Sequence, residues 1–336
     1  MESVYLLANT ERRLKKNNEP FFSLQLSDAT GTIGGIMWDG HAELERGNIR
    51  KDDYVLVQGD VGEFNGQPQI TMRRIVKVDD ADVDQKAFLP VSPRPREEME
   101  AELDGWIARV KNPDCARLLA RLFGHKGLRE LYCMAPAAVK VHQAYIHGLL
   151  DHTLCVMKLA WSIADVYEPI DRDLLVTATL LHDIGKVREL EWKRSLGYTT
   201  QGRLLGHIFM GAAMVDAAIN EIRKADGFDP EIQTHLIHLI LSHHGKQEWG
   251  SPVTPKSREA FVLHYADHTE AYMASFVKET TKAAEKGDAW TAYSKMFESY
   301  LFVGGRTAET APGGDQEPLL NTEGRRNPVD DVKSPT

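Results

Sequence analysis

The hydrophobic period of this chain changes once, across a proline-rich stretch, and that change limits what it can fold into. Up to about residue 80, the runs FFSLQLSD, TIGGIMWD, DYVLVQGDVGEF and PQITMRRIVKV alternate apolar and polar residues and are broken by turn signals, as half-buried strands are. From Glu98 onward, EEMEAELDGWIARV and PDCARLLARLFG space their apolar residues three and four apart, the period of a helix. Between the two blocks, DDADVDQKAFLPVSPRPREE turns acidic and then brings Pro90, Pro93 and Pro95 close together, a linker composition. The 336 residues, 42% of them hydrophobic, are enough for two domains with one sizeable core. The expected fold class is multidomain α and β: a small amino-terminal β-barrel, then an all-α helical bundle.

The amino-terminal block has room for five strands. Asn65-Gly66 between two strand-like runs is a hairpin signal, and HAELERGNI has room for one short helix. A five-stranded barrel of the oligonucleotide-binding (OB) type fits this order, although such barrels also bind sugars and proteins. Candidate base-stacking residues are Phe21, Phe22, Trp38 and Phe64, each of which could equally be barrel core. Arg12, Arg13, Lys15, Lys16, Arg73 and Arg74 are candidates for phosphate contact. Residues 1–78 hold ten Lys plus Arg against eleven Asp plus Glu, so this segment contributes little of the overall charge of −9.

In the helical block, Leu180-Leu181-His182-Asp183-Ile184-Gly185-Lys186 ends an apolar run on an adjacent imidazole and carboxylate. Both side chains can turn toward one cation, and the carboxylate keeps a second oxygen for another. A lone His-Asp pair proves little, since a histidine on an apolar helix is usually a satisfied core residue. Here, however, histidines and acids recur in core-like runs: His147 and His152 in YIHGLLDHTLCV, His207 in LLGHIFMG, His243-His244 in LILSHHG, Asp267 in LHYADHTEA. Burying adjacent polar rings without partners costs several kcal/mol, and a metal is the most economical partner. Imidazole and carboxylate without thiolate suit Mn²⁺, Fe²⁺, Co²⁺ or Zn²⁺ better than Mg²⁺. Lys186, three residues past Asp183, is placed to reach the same phosphate, with a solvated or ion-paired lysine as the plain alternative. His147 lies five residues before His152 and off its helix face, which makes it a supporting or core residue; His235, His238, His264 and His268 rank below it.

The ordered set His152, His182-Asp183, His207, His243-His244, Asp267 resembles the HD-domain superfamily of metal-dependent phosphohydrolases, in its form with extra histidines for a second metal. Within it, GLLDHTLCV, LLHDIGKVREL, GRLLGHIFMG and LSHHGKQEWGSPVTPKSREAFVLHYAD, following an OB-like segment, resemble the YhaM-type 3′-5′ exoribonucleases from roughly Val4 to Phe302. The resemblance implies two divalent metals per chain, Mn²⁺ first, with one held by His152, His182, Asp183 and Asp267, the other by His207, His243 and His244, and Asp183 bridging. It implies hydrolysis of single-stranded RNA, with single-stranded DNA as a second polymer, to nucleoside 5′-monophosphates by two-metal activation of water, with Asp183 and Lys186 as catalytic residues. Two other readings remain: an HD phosphodiesterase or phosphatase acting on a small nucleotide, and a nucleic-acid-binding protein whose HD domain is only a scaffold.

The net charge of −9 weighs against a protein that coats nucleic acid by bulk electrostatics, though not against an enzyme with a local basic groove. Cys115, Cys133 and Cys155 are odd in number and outside any CxxC, so neither a disulfide framework nor a zinc knuckle is suggested. No run approaches ~18 uninterrupted apolar residues, and the start lacks the order of a secretory signal, so no membrane partner and a cytoplasmic location are expected. The expected partition is an OB-like domain over 1–80, a linker over 81–97, an HD domain over 98–303 without strands, and a tail over 304–336. With nine Gly plus Pro in its 33 residues, that tail is expected to be disordered. The glycine-broken segment from Gly197 to Gly206 and the stretch Lys246 to Lys256 are expected to be loops walling the substrate site.

Overall fold

In a computed structural model the described residues are 1–84, 87–139, 143–192 and 194–304; the expected disordered tail lies, but for residue 304, outside them. Residues Met1–Ala274 form one compact unit and those from Ser275 a second.

Five strands close the amino-terminal barrel in the order β1-β2-β3-β5-β4: β1 (Glu2–Leu14), β2 (Pro20–Asp28), β3 (Gly31–Met37), β4 (Tyr54–Phe64) and β5 (Gln67–Lys77). All neighbours pair antiparallel except β3 and β5, which pair parallel. The β4–β5 hairpin turns at Asn65 and Gly66, with φ of 54° and 74°, the left-handed pair a two-residue hairpin requires. A short helix α1 (Ala42–Glu45) fills the β3–β4 connection. The alternating residues Phe22, Leu24 and Leu26 of β2 point inward and join Met37, Val55, Val57, Ile70 and Met72 in the barrel core. This corrects one sequence expectation: Phe22 is 5% exposed and belongs to the core, so it is not available to stack on a base. Its neighbour Phe21 faces outward beside Trp38, ring centroids 4.8 Å apart.

The helical part runs through α2 (Arg96–Ile107), α3 (Pro113–Phe123), α4 (Lys126–Met134), α5 (Gly148–Val166), α6 (Arg172–Leu181), α7 (Lys186–Glu189), α8 (Thr200–Asp226), α9 (Pro230–Ser242) and α10 (Arg258–Ala284). Asn112, Asp171, Thr199 and Asp229 cap α3, α6, α8 and α9 by accepting from backbone N–H groups of the first turn. A single apolar core gathers these helices; α6 is buried from Leu174 to Leu181. Two expectations are corrected here. A two-stranded hairpin, β6 (Leu190–Glu191) with β7 (Gly197–Tyr198), interrupts the helices, too short for any periodicity to reveal. The segment after Gly197 is not a loop: helix begins at Thr200 and runs through Gly202. Helix α8 has the length and composition of a membrane span, yet half of its apolar window is buried in the protein and Gly206 breaks it.

The tip of the β6–β7 hairpin touches the barrel. Arg194 pairs with Asp80 and reaches the Asp52 carbonyl at 3.2 Å, and the Ser195 hydroxyl donates to Asp52 at 3.1 Å. The chain between the domains is also anchored, with Phe88 packed on Tyr54 and Leu6 and Ile146 exchanging backbone hydrogen bonds with Pro90 and Ser92.

Candidate metal centre

The buried end of α6 carries the centre of the site. His182 closes the helix and donates its Nδ1–H to the Thr179 carbonyl, 2.7 Å away. The chain then turns through Asp183, Ile184 and Gly185. A Cβ on Gly185 would come within 2.0 Å of the His207 carbonyl and 2.6 Å of the Gly211 nitrogen, so only glycine lets this turn lie against α8. Opposite it, Gly206 at φ 72° and ψ 154° breaks α8. Glu189 caps the restarted helix, accepting the His207 backbone N–H at 3.0 Å and facing its Nδ1 at 3.1 Å. His243 and His244 follow α9, with Nδ1 on the carbonyls of Ile240 and Trp249 at 2.7 and 2.8 Å. His152 projects from α5, and its Nδ1 lies 2.6 Å from Glu270 on α10, one turn beyond Asp267.

Each of these imidazoles has one nitrogen fixed by protein and the other turned inward. Asp183 stands between them. Its Oδ2 lies 3.5 Å from His152 Nε2 and 3.4 Å from His182 Nε2. Its Oδ1 lies 3.4 Å from His207 Nε2 and 3.6 Å from His243 Nε2. Asp267 reaches His152 at 3.1 Å. Donor atoms gather within 4.8 Å of one another in three sets: His152, His182 and Asp267; His207, His243 and His244; and His182, Asp183 and His243 joining them. The seven ligand positions expected from sequence are thus brought together. Lys186 lies beside them, its Nζ 2.6 Å from Asp183 Oδ2.

Three atoms test whether this arrangement fits a cation. Asp183 Oδ1, His207 Nε2 and His243 Nε2 are buried, face one another and make no hydrogen bond. Leaving three such atoms unsatisfied costs roughly 1–3 kcal/mol each, which a shared cation removes. The charges agree, since Asp183, Asp267, Glu270 and Glu189 put four carboxylates around one lysine. Burial holds His182 and His243 below the ordinary imidazole value and pushes His244 down to about 4, which keeps their lone pairs available. Burial opposes ionisation of Asp183 as well, but Lys186 and His182 outweigh it and hold the carboxyl well below its ordinary range. Burial also acts against a charged His152, yet Asp267 and Glu270 raise it to about 10. The carboxylates that hold a proton there would equally hold a cation in its place.

The site opens into a cavity of about 390 Å³, lined by His152, Asp183, Lys186, His207, His244 and Asp267 and by Tyr198, Trp249, His264, His268 and Tyr272. Sequence reasoning missed Glu189 and Glu270, which lie within ordinary helical runs, and ranked His264 and His268 too low. His264 is buried, and its Nδ1 bonds the His243 carbonyl at 2.8 Å. A clue to it existed in Gly245, whose φ of 82° and whose would-be Cβ, 2.2 Å from the His264 ring, leave room for glycine alone. His147 is placed as a helix-start residue, with Nδ1 2.6 Å from the Cys133 carbonyl. The other barrel candidates lie far along the chain from this centre. Phe64, 61% exposed, ends β4. Arg73 and Arg74 are both exposed because a bulge opposite Gln58 and Gly59 interrupts the alternation, and Arg73 pairs with Asp60.

Comparison with known proteins agrees with both halves. The HD domain family matches residues 149–272, and the OB-fold nucleic acid binding domain family matches residues 9–78. The 3′-5′ exoribonuclease YhaM of Bacillus subtilis is 36% identical over 274 residues, 81% of this chain and 85% of that protein. The YhaM protein of Bacillus licheniformis is 37% identical over 80% of this chain and 84% of its own length. That of a Geobacillus strain is 36% identical over 80% and 82%. HD domains bind divalent metals, and this cluster has the donors to hold one. With more than a third of its residues identical to these proteins over four fifths of its length, and both domain families matched, the chain belongs to the YhaM family of HD-domain proteins.

Proposed function

We propose that this protein is a metal-dependent 3′-5′ exoribonuclease that releases nucleoside 5′-monophosphates from single-stranded RNA, with single-stranded DNA as a secondary substrate. The observation that carries the reading is Asp183, whose two oxygens face two different imidazole sets 3.4–3.6 Å away. One cation would be held by His152, His182, Asp183 and Asp267, a second by His207, His243, His244 and the same Asp183, with Mn²⁺ the first choice. Bound there, divalent cations supply Lewis acidity to the phosphodiester and a nucleophilic water at neutral pH. Asp183 sets the spacing of the site by its position between the two sets. Glu270 and Glu189 hold the His152 and His207 rings in place, so that little reorganisation is needed as substrate arrives. Lys186 offsets the carboxylates and offers its ammonium to a phosphate oxygen at the cavity floor. The cavity of about 390 Å³ is near the lower end of the roughly 300–1,000 Å³ of small-ligand sites, with room for a terminal nucleotide.

The barrel would hold the incoming strand through Phe21, Trp38 and Phe64 with Arg73 and Arg74, raising substrate concentration near the site. Chemistry of this kind needs no membrane, and a cytoplasmic location suits an RNA substrate. The test is incubation of purified protein and Mn²⁺ with end-labelled single-stranded RNA, single-stranded DNA and a panel of nucleotides. Turnover of RNA to mononucleotides supports the reading. Turnover of a free nucleotide with every polymer inert would replace it with a small-molecule phosphodiesterase, and inertness toward all of them would leave a binding protein on an HD scaffold.

A further inference from the structure

One wall of the cavity has no part in holding a cation. Trp249, His268 and Tyr272 line it beside His244 and Asp267. The indole of Trp249 lies parallel to the His268 ring, at 5.0 Å between centroids and 7° between planes. Tyr272 flanks His268, with ring centroids 4.2 Å apart and planes tilted by 40°. His268 and Tyr272 are four apart on α10 and so share a face. Trp249 arrives from a separate element, the 3-10 turn Gln247–Trp249, ended by Gly250 in the left-handed region at φ 93°. The carbonyl of that same Trp249 faces His244 Nδ1 at 2.8 Å. A single turn therefore both aims a candidate ligand and positions an indole.

Despite these contacts Trp249 stays 40% exposed at the cavity wall. A flat ring inserted there would cover it. The Lys246 ammonium lies 4.4 Å from the indole centroid, on a side chain that is 57% exposed. Such a flexible stem can swing from the ring to a neighbouring phosphate.

We propose that Trp249, His268 and Tyr272 form the stacking subsite for the nucleobase of the terminal nucleotide, so that the base sets the register of the scissile linkage on the Asp183–Asp267 cluster. The proposal rests on the exoribonuclease reading above. Stacking on ring faces is tolerant of sequence, so this subsite accepts all four bases, purines better than pyrimidines for their larger faces, and discriminates against a terminal sugar that carries none.

The experiment uses the full chain with Mn²⁺ under single-turnover conditions and two 5′-labelled oligoribonucleotides identical except at the 3′ end, one ending in adenosine and one in an abasic ribose. The wild type is expected to remove the abasic residue about tenfold or more slowly. Trp249→Ala should slow the adenosine-ended substrate by a similar factor and bring the ratio of the two rates toward one, while Trp249→Phe should restore most of the ratio. Tyr272→Leu, on a different element, should lower the same ratio and covers the case in which the turn carrying Trp249 collapses. Equal wild-type rates on the two ends, or a ratio unchanged in both Trp249→Ala and Tyr272→Leu, would overturn the proposal. A wild type that leaves both oligonucleotides intact would overturn the exoribonuclease reading and the subsite with it, an outcome distinct from cleaving both alike.

Discussion

Glu270 faces Nδ1 of His152 at 2.6 Å, a carboxylate on α10 aiming an imidazole on α5 across the core of the site. Neither residue is near the other in sequence, and the pairing leaves Nε2 of His152 turned toward Asp183 and Asp267. Glu270→Gln keeps the shape and removes the charge. Its affinity for Mn²⁺ is expected to fall ~10–100-fold, measured by calorimetric titration; unchanged affinity would show that His152 is oriented without it.

Asp183 stands between both donor sets, so its loss should be felt by both. Asp183→Asn is expected to abolish hydrolysis and to lower the bound metal, measured by elemental analysis after dialysis, while far-ultraviolet circular dichroism stays helical because α6 keeps its buried apolar face. Full activity in this variant would contradict the assignment of the centre.

Gly185 tests the packing that brings His207 to Asp183. In Gly185→Ala the added carbon meets the His207 carbonyl within 2.0 Å, so backbone must move. A loss of about 1–3 kcal/mol in unfolding free energy is expected, read from denaturant melts, together with weaker metal binding. A neutral effect on both would mean that the turn has slack the close approach to α8 denies.

These residues mark where sequence was legible and where it was not. The barrel and the bundle could be told apart because alternation and helical spacing are local, and the β4–β5 turn showed itself through Asn65-Gly66, a pair chosen for left-handed backbone. The histidines and aspartates stood out because polar rings in apolar runs need a reason. Glu189 and Glu270 did not, since a glutamate on a helix is ordinary until the fold brings His207 or His152 to it. Phe22 and Phe21 were indistinguishable by composition, and only strand register decides which faces the core. The helix after Gly197 was hidden by its own glycines: Gly202 sits where a Cβ would strike the Glu189 carbonyl at 2.2 Å, so its presence records close packing rather than a loop.

The barrel's outward rings give a prediction separate from the metal centre. Trp38 is 41% exposed beside Phe21, and under the proposed function the pair would stack on bases. Trp38→Ala is expected to raise KM several-fold on long single strands, with kcat and the kinetics on dinucleotides little changed, since stacking contributes roughly 1–3 kcal/mol per base. Identical KM on long RNA would remove this face of the barrel from the substrate path.

The most direct measurement of the central claim is the product pattern on two forms of one single-stranded RNA, a 5′-labelled linear strand and the same strand closed into a circle. An endonuclease admits a strand that continues on both sides of the site, whereas an exonuclease acting from the 3′ side needs a free 3′ end. With Mn²⁺ the linear strand should shorten one nucleotide at a time, releasing 5′-monophosphates from the earliest times, and the circle should survive. Rapid cutting of the circle into large fragments would contradict the account.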